Sequence, residues 1–294
     1  MSEKEIAVLR ALLTSRPRPA SVAERRARLD ALGEAYPTAS DIRLEPTNAD
    51  GVPAEWSTAP GANAARVLLY LHGGGFSAGS IVSHRAMVTE AGRAARARTL
   101  AIDYRRTPEH PFPAALDDAL KAYRWLLAQG VQPSRIAIGG DSAGGGLTLA
   151  TMVSLREGGL PLPACAWCVS PWVDMEARGD SYASKAAIDP MISREYILEL
   201  AAWYLGGVAP RTPLAAPLHA ELAGLPPLLI QVGSAETLLD DAIGLASRAA
   251  AADVRVTLEV WPHMIHAWPL FHQQLTDGRR AIAAAGPFIT AATA

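Results

Sequence analysis

A serine stands between two glycines at residues 140–144, which read Gly-Asp-Ser-Ala-Gly. The apolar run 135–139 precedes this pentapeptide, and a helix-like stretch of small residues, 144–157, follows it. A sharp turn from a strand into a helix leaves no room for large neighbouring side chains, and it lifts the hydroxyl of the central serine above the sheet. The pattern therefore predicts a strand–turn–helix unit that presents Ser142 as a nucleophile.

The same glycine cluster resembles a phosphate-binding loop only superficially. A Walker loop that begins at Gly139 would need lysine where the chain has Gly145. A dinucleotide fingerprint that begins at Gly140 would need glycine where the chain has Ser142. Both nucleotide-binding interpretations therefore fail. From this motif alone, another interpretation is still possible, namely a turn that only allows a helix to pack closely on a strand.

A second glycine-rich segment, residues 72–76 (His-Gly-Gly-Gly-Phe), ends the apolar run 67–71. Consecutive glycines expose backbone N–H groups, and such donors stabilise the oxyanion that forms when a serine attacks a carbonyl group. This loop could supply two donors, and the N–H of Ala143 a third. Together with Ser142, the loop indicates an acyl-transfer site.

With these motifs the chain resembles the hormone-sensitive-lipase-like branch of the α/β-hydrolases, the bacterial family IV esterases. The resemblance covers the chain from about residue 60 onward and includes residues 72–76, 103–115, 140–145, 170–172 and 266–268. It implies that Gly74, Gly75 and Ala143 form the oxyanion hole. It also implies an α/β-hydrolase fold with a helical cap and a reaction that requires no metal and no organic cofactor.

A serine nucleophile needs a base, and the base needs an orienting carboxylate, in the chain order Ser, acid, His. The strand-like run 227–233 is followed by a loop that contains Glu236, which we interpret as the acid. Related enzymes more often have aspartate here, so Asp240 and Asp241 remain rivals. Acids in the first turn of a helix are ordinarily explained by the helix dipole, which favours Glu236.

Two histidines, His263 and His266, follow the last strand-like run. His266 is preferred as the base because residues 266–268 (His-Ala-Trp) look like the His-Gly-Phe of the family, whereas His263 follows Pro262 in a pattern that is typical of a turn. The remaining candidates are expected to be surface or packing residues, namely His84, His110, His219 and His272.

The chain contains eight strand-like segments, and the six from residue 66 onward alternate with helix-like segments, which predicts an α/β fold with an eight-stranded, mostly parallel sheet and helices on both faces. The strands are predicted at residues 41–46, 52–57, 66–71, 99–103, 135–139, 163–170, 227–233 and 255–261. The first two read as an antiparallel hairpin. We expect one domain, 1–294, with a catalytic core of about 41–174 and 216–294 and a cap of about 1–40 and 175–215.

The two cap segments carry apolar residues at helical spacing, which ordinary core burial explains equally well. In the family, such segments form a lid over the serine, and a lid here would enclose an apolar pocket. The predicted lining residues are Phe76, Trp172, Met191, Trp203, Tyr204 and Phe271. Asp141 is expected to support the site by hydrogen-bonding adjacent loops.

The composition of the chain limits which classes of binding partner are expected. The chain has 294 residues, half of them hydrophobic, and a formal net charge of −2, so neither nucleic acid nor a membrane surface is indicated as a partner. The acidic start of the chain does not read as a signal peptide, and a cytoplasmic location is the default expectation. Cys165 and Cys168 lie three apart on a predicted strand, where side chains point to opposite faces, so buried free thiols are expected.

These patterns predict a serine carboxylesterase that acts on short- to medium-chain acyl esters, with water as the second substrate. Ser142 would attack the ester, His266 would serve as the base, and Glu236 would orient it. An amidase, formamidase or lactone hydrolase could use the same triad, and a non-catalytic binding protein could use the same scaffold. A homodimer is compatible with the family, although no residue pattern demonstrates an interface.

Overall fold

One eight-stranded sheet organises the molecule in a computed structural model that describes residues 2–15 and 17–294. The strands are β1 (Arg43–Ala49), β2 (Val52–Thr58), β3 (Asn63–Leu71), β4 (Ala97–Ile102), β5 (Ile136–Asp141), β6 (Cys165–Val169), β7 (Leu228–Gly233) and β8 (Val256–Trp261). Their spatial order is β1-β2-β4-β3-β5-β6-β7-β8. Strand β2 runs antiparallel to β1 and β4, and the remaining pairs are parallel. The predicted sheet and its hairpin are confirmed.

Helices make the crossovers that parallel strands require. The described helices are α1 (Ser2–Thr14), α2 (Val22–Glu34), α3 (Ile81–Ala94), α4 (Ala114–Ala128), α5 (Ala143–Glu157), α6 (Ser181–Ser184), α7 (Arg194–Leu205), α8 (Leu239–Ala251) and α9 (Thr276–Ala292). Helices α3, α4, α5, α8 and α9 correspond to the helix-like stretches that alternate with strands in the sequence. No helix in the described part of the chain is long and apolar enough to cross a bilayer.

Side chains at alternating positions of β3 enter two different cores. Val67, Leu69 and Leu71 pack with α4, α5 and α8 on one face of the sheet. Leu68 and Tyr70 pack with α3 and α9 on the other. This alternation is that of a strand buried on both faces, and it confirms that helices cover the sheet on both sides.

The two cysteines of β6 follow the same rule. Cys168 belongs to the core shared with α5, and Cys165 belongs to the core shared with α9. Both are buried and free, as predicted. Burial raises the pKa of the Cys165 thiol to about 12 and that of Cys168 further still, so both stay protonated at neutral pH.

The predicted cap segments lie outside the regular alternation of strands and helices. Helix α1 packs against α9, where Ile6 and Leu9 are buried and Glu5 accepts hydrogen bonds from the backbone N–H and hydroxyl of Thr276 (2.7 and 2.9 Å). Helix α2 packs against α3, with which Gly33 makes a close backbone contact at Val82. The N-terminal segment is therefore anchored to the face of the sheet that α3 and α9 cover.

Candidate active site

Ser142 lies in the sharp turn between β5 and α5, with φ 53° and ψ −122°. A positive φ is unfavourable for a residue with a side chain, and such strain persists only where the surroundings impose it. Here the Ser142 N–H donates to the Val169 carbonyl, and the Ser142 carbonyl accepts from the Trp172 N–H, both at 2.9 Å. The last residue of β6 and the segment that follows it thus hold the strained serine at both of its backbone polar groups.

The glycines on either side of Ser142 are required by close backbone packing. A Cβ at Gly144 would overlap the Leu71 carbonyl oxygen, and one at Gly140 would overlap the carbonyl of Gly144. The turn therefore lies directly against the end of β3, from which the glycine-rich loop departs. The two sequence motifs meet at this point.

The structure brings Ser142, His266 and Glu236 into one hydrogen-bonded chain. The Nε2 of His266 lies 2.9 Å from the Ser142 hydroxyl, and its Nδ1 lies 2.7 Å from Oε2 of Glu236. All three residues are buried. An imidazole held between a hydroxyl and a carboxylate can accept the serine proton while the carboxylate stabilises the positive charge that forms.

Two donors fix the carboxylate of Glu236. Its Oε1 accepts from the Ser170 hydroxyl at 2.7 Å and from the Gly233 N–H at 2.6 Å, which leaves Oε2 for His266. The Ser170 oxygen also accepts from the Ala267 N–H at 3.0 Å. Ser170 thus ties the acid to the residue next to the base. In the sequence, residue 170 stands out only as part of a family motif, and its position directly after β6 is the signal that could have indicated this role.

The rival acids and the rival base lie elsewhere. Asp241 accepts from the N–H groups of Val173 and Asp174, both at 3.0 Å, and Asp240 accepts from the Ser181 N–H at 2.8 Å. His263 is largely exposed, and its Nε2 lies 3.9 Å from a carboxylate oxygen of Glu3. The described hydrogen bonds of His266 therefore involve Glu236 and neither rival carboxylate.

Two opposing effects act on the charge of His266. Burial by itself would lower the pKa of the imidazole, but the hydrogen bond and negative charge of Glu236 outweigh burial and raise the pKa above its usual value. A raised pKa makes the neutral imidazole a stronger base. It also means that this base becomes protonated at a higher pH than an ordinary histidine does.

The glycine loop presents backbone donors beside Ser142. Gly74 and Gly75 have φ values of +112° and +62°, and neither N–H donates a hydrogen bond to any residue within 2–15 or 17–294. A Cβ at Gly74 would overlap the Ala78 carbonyl. Ala143 is the first residue of α5, where backbone N–H groups have no partner within the helix. These are the three residues predicted to form the oxyanion hole.

Asp141 joins this loop to the nucleophile turn. Its carboxylate accepts from the Tyr70 hydroxyl at 2.9 Å and from the Gly73 N–H at 3.0 Å, and it lies 3.2 Å from Nε2 of His84. Burial would raise the pKa of Asp141, but His84 and Tyr70 outweigh burial and lower it. The prediction that Asp141 hydrogen-bonds an adjacent loop is confirmed. His84, expected to be a surface or packing residue, is buried and lies within hydrogen-bonding distance of this carboxylate.

Comparison with known proteins agrees with this geometry. A family model described as the alpha/beta hydrolase fold matches residues 68–270. An acetyl-hydrolase of Streptomyces hygroscopicus is 50% identical over 240 residues, which are 82% of this chain and 80% of that protein. An esterase of Acinetobacter venetianus is 33% identical over 263 residues, 89% of this chain and 86% of that protein. A crystal structure of an esterase from the bacterial hormone-sensitive lipase family superimposes with a TM-score of 0.95 and 49% identity, covering 99% of this chain and 98% of that one.

This chain belongs to the hormone-sensitive-lipase-like esterases of the α/β-hydrolase superfamily. The family resemblance drawn from the sequence motifs is therefore confirmed. As a member of this family, the protein is a carboxylic ester hydrolase.

A cavity of about 540 Å³ opens above Ser142 of this hydrolase. Ser142 and His266 border it on the side of the sheet, and both predicted cap segments border it opposite, through α2 and α7. Three of the six predicted lining residues border the cavity, namely Met191, Trp203 and Phe271. The volume lies within the usual range of small-molecule sites.

The prediction was wrong for the other three lining residues, namely Phe76, Trp172 and Tyr204. They do not border the cavity but belong to the fully buried core. The rings of Phe76 and Tyr204 stack with centroids 3.6 Å apart, and Trp172 lies 5.8 Å from Phe76. Burial of a large aromatic ring contributes more stability when the ring is completely buried. A hydrophobic residue close to a motif in the sequence can therefore lie either in the cavity wall or in the core behind it. These rings support the site from behind.

One group of side chains has the spacing of a metal site. Asp174, Glu176 and His219 place one ligand atom each within 4.8 Å of one another. The carboxylate of Asp174 already accepts from two backbone N–H groups, and Glu176 pairs with Arg211 at 2.6 Å. These contacts explain the cluster without a cation, and the hydrolase site does not include it.

Proposed function

We propose that this hydrolase is a serine carboxylesterase that cleaves short- to medium-chain acyl esters through Ser142, His266 and Glu236. The observation that carries the proposal is the buried hydrogen-bonded chain from the Ser142 hydroxyl through both nitrogens of His266 to Glu236. Its location at the edge of a cavity allows an ester to reach the hydroxyl oxygen.

In the first step, the Ser142 oxygen attacks the ester carbonyl carbon while Nε2 of His266 accepts the hydroxyl proton. The carbonyl oxygen becomes an oxyanion, which the N–H groups of Gly74, Gly75 and Ala143 would stabilise. Each such donor contributes about 10²- to 10³-fold in rate. Collapse of the intermediate breaks the ester C–O bond, and His266 returns the proton to the departing alcohol. An acyl group then remains on Ser142.

In the second step, water replaces the alcohol. His266 takes a proton from the water, whose oxygen attacks the acyl carbon, and the second oxyanion uses the same donors. Collapse releases the carboxylic acid and restores the Ser142 hydroxyl. The carboxylate of Glu236 stabilises the imidazolium in both steps.

The preference for short acyl groups follows from the shape of the cavity. We infer that residues 1–40 and 175–215 act as the cap, since α2 and α7 border the cavity on the side away from the sheet. The cap side also contributes apolar residues such as Leu29 and Leu200. A bounded cavity of about 540 Å³ favours compact acyl chains over long ones.

A series of p-nitrophenyl esters of increasing acyl length tests the proposal. We expect kcat/KM to be greatest for short to medium chains and to decline for long ones. Ser142→Ala should keep its fold, judged by circular dichroism, and lose nearly all turnover. Matched anilides, N-formyl compounds and lactones in the same assay test the amidase, formamidase and lactonase alternatives. Turnover that persists in Ser142→Ala would contradict the role of Ser142, and the absence of turnover in wild type would favour a binding protein on this scaffold.

A further inference from the structure

Arg25 is a buried arginine with incomplete hydrogen bonding. Its residue surface is only 8% exposed, and its Nε and Nη1 atoms are closed to water and have no hydrogen-bond partner within residues 2–15 and 17–294. A buried guanidinium is always charged, and each N–H without an acceptor carries a desolvation cost. Such a group in a native structure calls for an explanation.

The side chains that surround Arg25 do not supply the missing acceptors. Its Cζ lies 4.7 Å from the ring centroid of Tyr196 and 5.1 Å from that of Trp203. These aromatic faces attract the positive charge but do not replace hydrogen bonds to the N–H groups. The carboxylate of Glu199 is 3.6 Å from Nη2 and is itself about half exposed, so it is a weak, single contact.

Neighbouring arginines on α2 are paired in a way that Arg25 is not. Arg26 makes two hydrogen bonds to the carboxylate of Glu109, at 2.9 and 2.6 Å, and two more to backbone carbonyls. Arg28 hydrogen-bonds Glu24 and the Pro17 carbonyl. The side chains of two arginines on this helix are therefore hydrogen-bonded, whereas the most deeply buried arginine, Arg25, has only the weak contact with Glu199.

Arg25 borders the cavity above Ser142, and the cap side of that cavity is rich in positive charge. Arg18, Arg25 and Arg28 border it there, against the single carboxylate of Glu199. The other carboxylate at the cavity, Asp141, already accepts hydrogen bonds from neighbours on the side of the sheet. An anionic ligand group would therefore find a cation in need of acceptors and little opposing charge.

We propose that Arg25 is a specificity-determining residue that binds a carboxylate carried by the ester substrate, at the end remote from the scissile bond. The preferred substrate class is then an ester whose acyl or alcohol portion ends in a carboxylate. This inference rests on the proposed esterase function. Planar guanidinium groups bind carboxylates through charge-assisted hydrogen bonds. Because Nε and Nη1 of Arg25 are closed to water, this binding requires the contact between α2 and α7 to open enough for the substrate carboxylate to reach them.

The alternative is that Arg25 only joins α2 to α7 through the two aromatic rings. Two matched substrate pairs separate these roles. One pair is the mono-p-nitrophenyl ester of adipic acid and p-nitrophenyl hexanoate, and the other is 3-carboxyphenyl butyrate and phenyl butyrate. The selectivity, defined as the kcat/KM of the carboxylate ester divided by that of its neutral partner, is measured for wild type, Arg25→Met, Arg25→Lys and Arg28→Met.

We expect Arg25→Met to lower the selectivity by about 10- to 100-fold in at least one pair, mainly through KM, as loss of a charge-assisted hydrogen bond predicts. Arg25→Lys should recover part of it. Arg28→Met removes the same charge from the same helix but from a paired arginine, so it should change the selectivity much less. A thermal melt of each variant checks that it is folded.

Equal losses for both members of both pairs would overturn the proposal and assign Arg25 a structural role in the cap. An effect of Arg28→Met as large as that of Arg25→Met would also overturn it, because a general positive field would then explain the preference. Failure of the esterase function is distinguishable, since wild type would hydrolyse neither phenyl butyrate nor p-nitrophenyl hexanoate.

Discussion

At the scale of single residues, the site depends on a carboxylate that is held at both oxygens. Glu236 accepts from Ser170 and Gly233 at one oxygen and faces His266 at the other. Since the charge of Glu236 outweighs the effect of burial on the pKa of His266, that charge decides at which pH the base becomes neutral. Activity requires the neutral base, so it should rise with pH through the raised pKa of His266, above the ordinary value of about 6.5.

Glu236→Gln removes this charge while it keeps a side chain of nearly the same size. We expect the acidic limb of the kcat/KM profile to move to lower pH, because the main effect that raises the pKa of His266 is then lost and only the weaker charges of Asp189 and Asp141 oppose burial. The maximal rate should fall by up to about 10⁴-fold, since the imidazolium loses its counter-charge. The profile is measured with p-nitrophenyl butyrate, and Asp240→Asn serves as the control that should keep the wild-type limb. An unmoved limb in Glu236→Gln would assign the orienting role to another acid.

Ser170→Ala tests the link between the acid and the base. The substitution leaves the Ala267 N–H without its acceptor and removes one donor from Glu236. We expect the free energy of unfolding to fall by about 1–3 kcal/mol, as for a buried donor left unpaired. The value of kcat should fall about tenfold, equivalent to about 1.4 kcal/mol, with little change in KM. Ser234→Ala, which frees the His263 N–H at a partly exposed position, should change neither quantity appreciably.

At the scale of elements, the serine, the backbone donors and Ser170 come together where three neighbouring strands end, while Glu236 and His266 follow the ends of β7 and β8. The turn from β5 to α5 carries the serine, the loop after β3 carries the backbone donors, and the segment after β6 carries Ser170. Parallel strands place these ends at one edge of the sheet, which is where open α/β sheets bind their ligands. The close contact of Gly144 with the end of β3 is what brings the first two together.

Gly144→Ala should disrupt this junction. Its Cβ would overlap the Leu71 carbonyl, and backbone on both sides would have to move, so we expect a loss of about 1–3 kcal/mol or more in the free energy of unfolding, with loss of activity. Gly244→Ala is the matched control within α8, where the nearest atom to the new Cβ would be 3.4 Å away. It should be neutral or stabilise by up to about 1 kcal/mol. Urea unfolding of both variants measures the difference, and equal stabilities would refute the close-packing explanation.

At the scale of the whole molecule, a buried acid links the sheet to the second cap segment. The carboxylate of Asp241, in α8, accepts hydrogen bonds from the N–H groups of Val173 and Asp174, where the chain leaves β6 toward residues 175–215. Burial raises the pKa of this carboxyl to about 7 in spite of those hydrogen bonds. An unfolded chain has an aspartate pKa of about 3.9, so the folded protein holds an extra proton between these values.

The difference between the folded and unfolded pKa values of Asp241 determines how the free energy of unfolding changes with pH. Between about pH 4 and about pH 7, the folded state still holds a proton on Asp241 that the unfolded state has lost. The free energy of unfolding therefore falls as pH rises through this range. Asp241→Asn removes the effect. Its stability relative to wild type should therefore increase with pH, by up to about 1.4 kcal/mol for each pH unit, in urea unfolding at a series of pH values. A difference that stays constant with pH would contradict the raised pKa.

The sequence permitted a correct prediction of the fold because its strands and helices are regular and punctuated by glycine-rich turns. The same glycines pointed to Ser142 and to the loop beside it. The sequence predicts less well the location of a side chain that depends on packing between segments distant along the chain. Phe76 and Tyr204 were expected at the cavity but stack in the core. Arg25 gave no signal, because its lack of partners is visible only once α2 lies against α7.

The most direct test of the central claim is mass spectrometry of the protein after treatment with an organophosphate ester. We predict a single adduct, mapped by peptide digestion to Ser142, that forms at the rate at which p-nitrophenyl butyrate turnover is lost. Ser142→Ala should remain unmodified, and His266→Ala should react far more slowly because its serine lacks a base. A fully active wild-type enzyme without an adduct at Ser142, or an adduct on another residue that accounts for the loss of activity, would contradict the account.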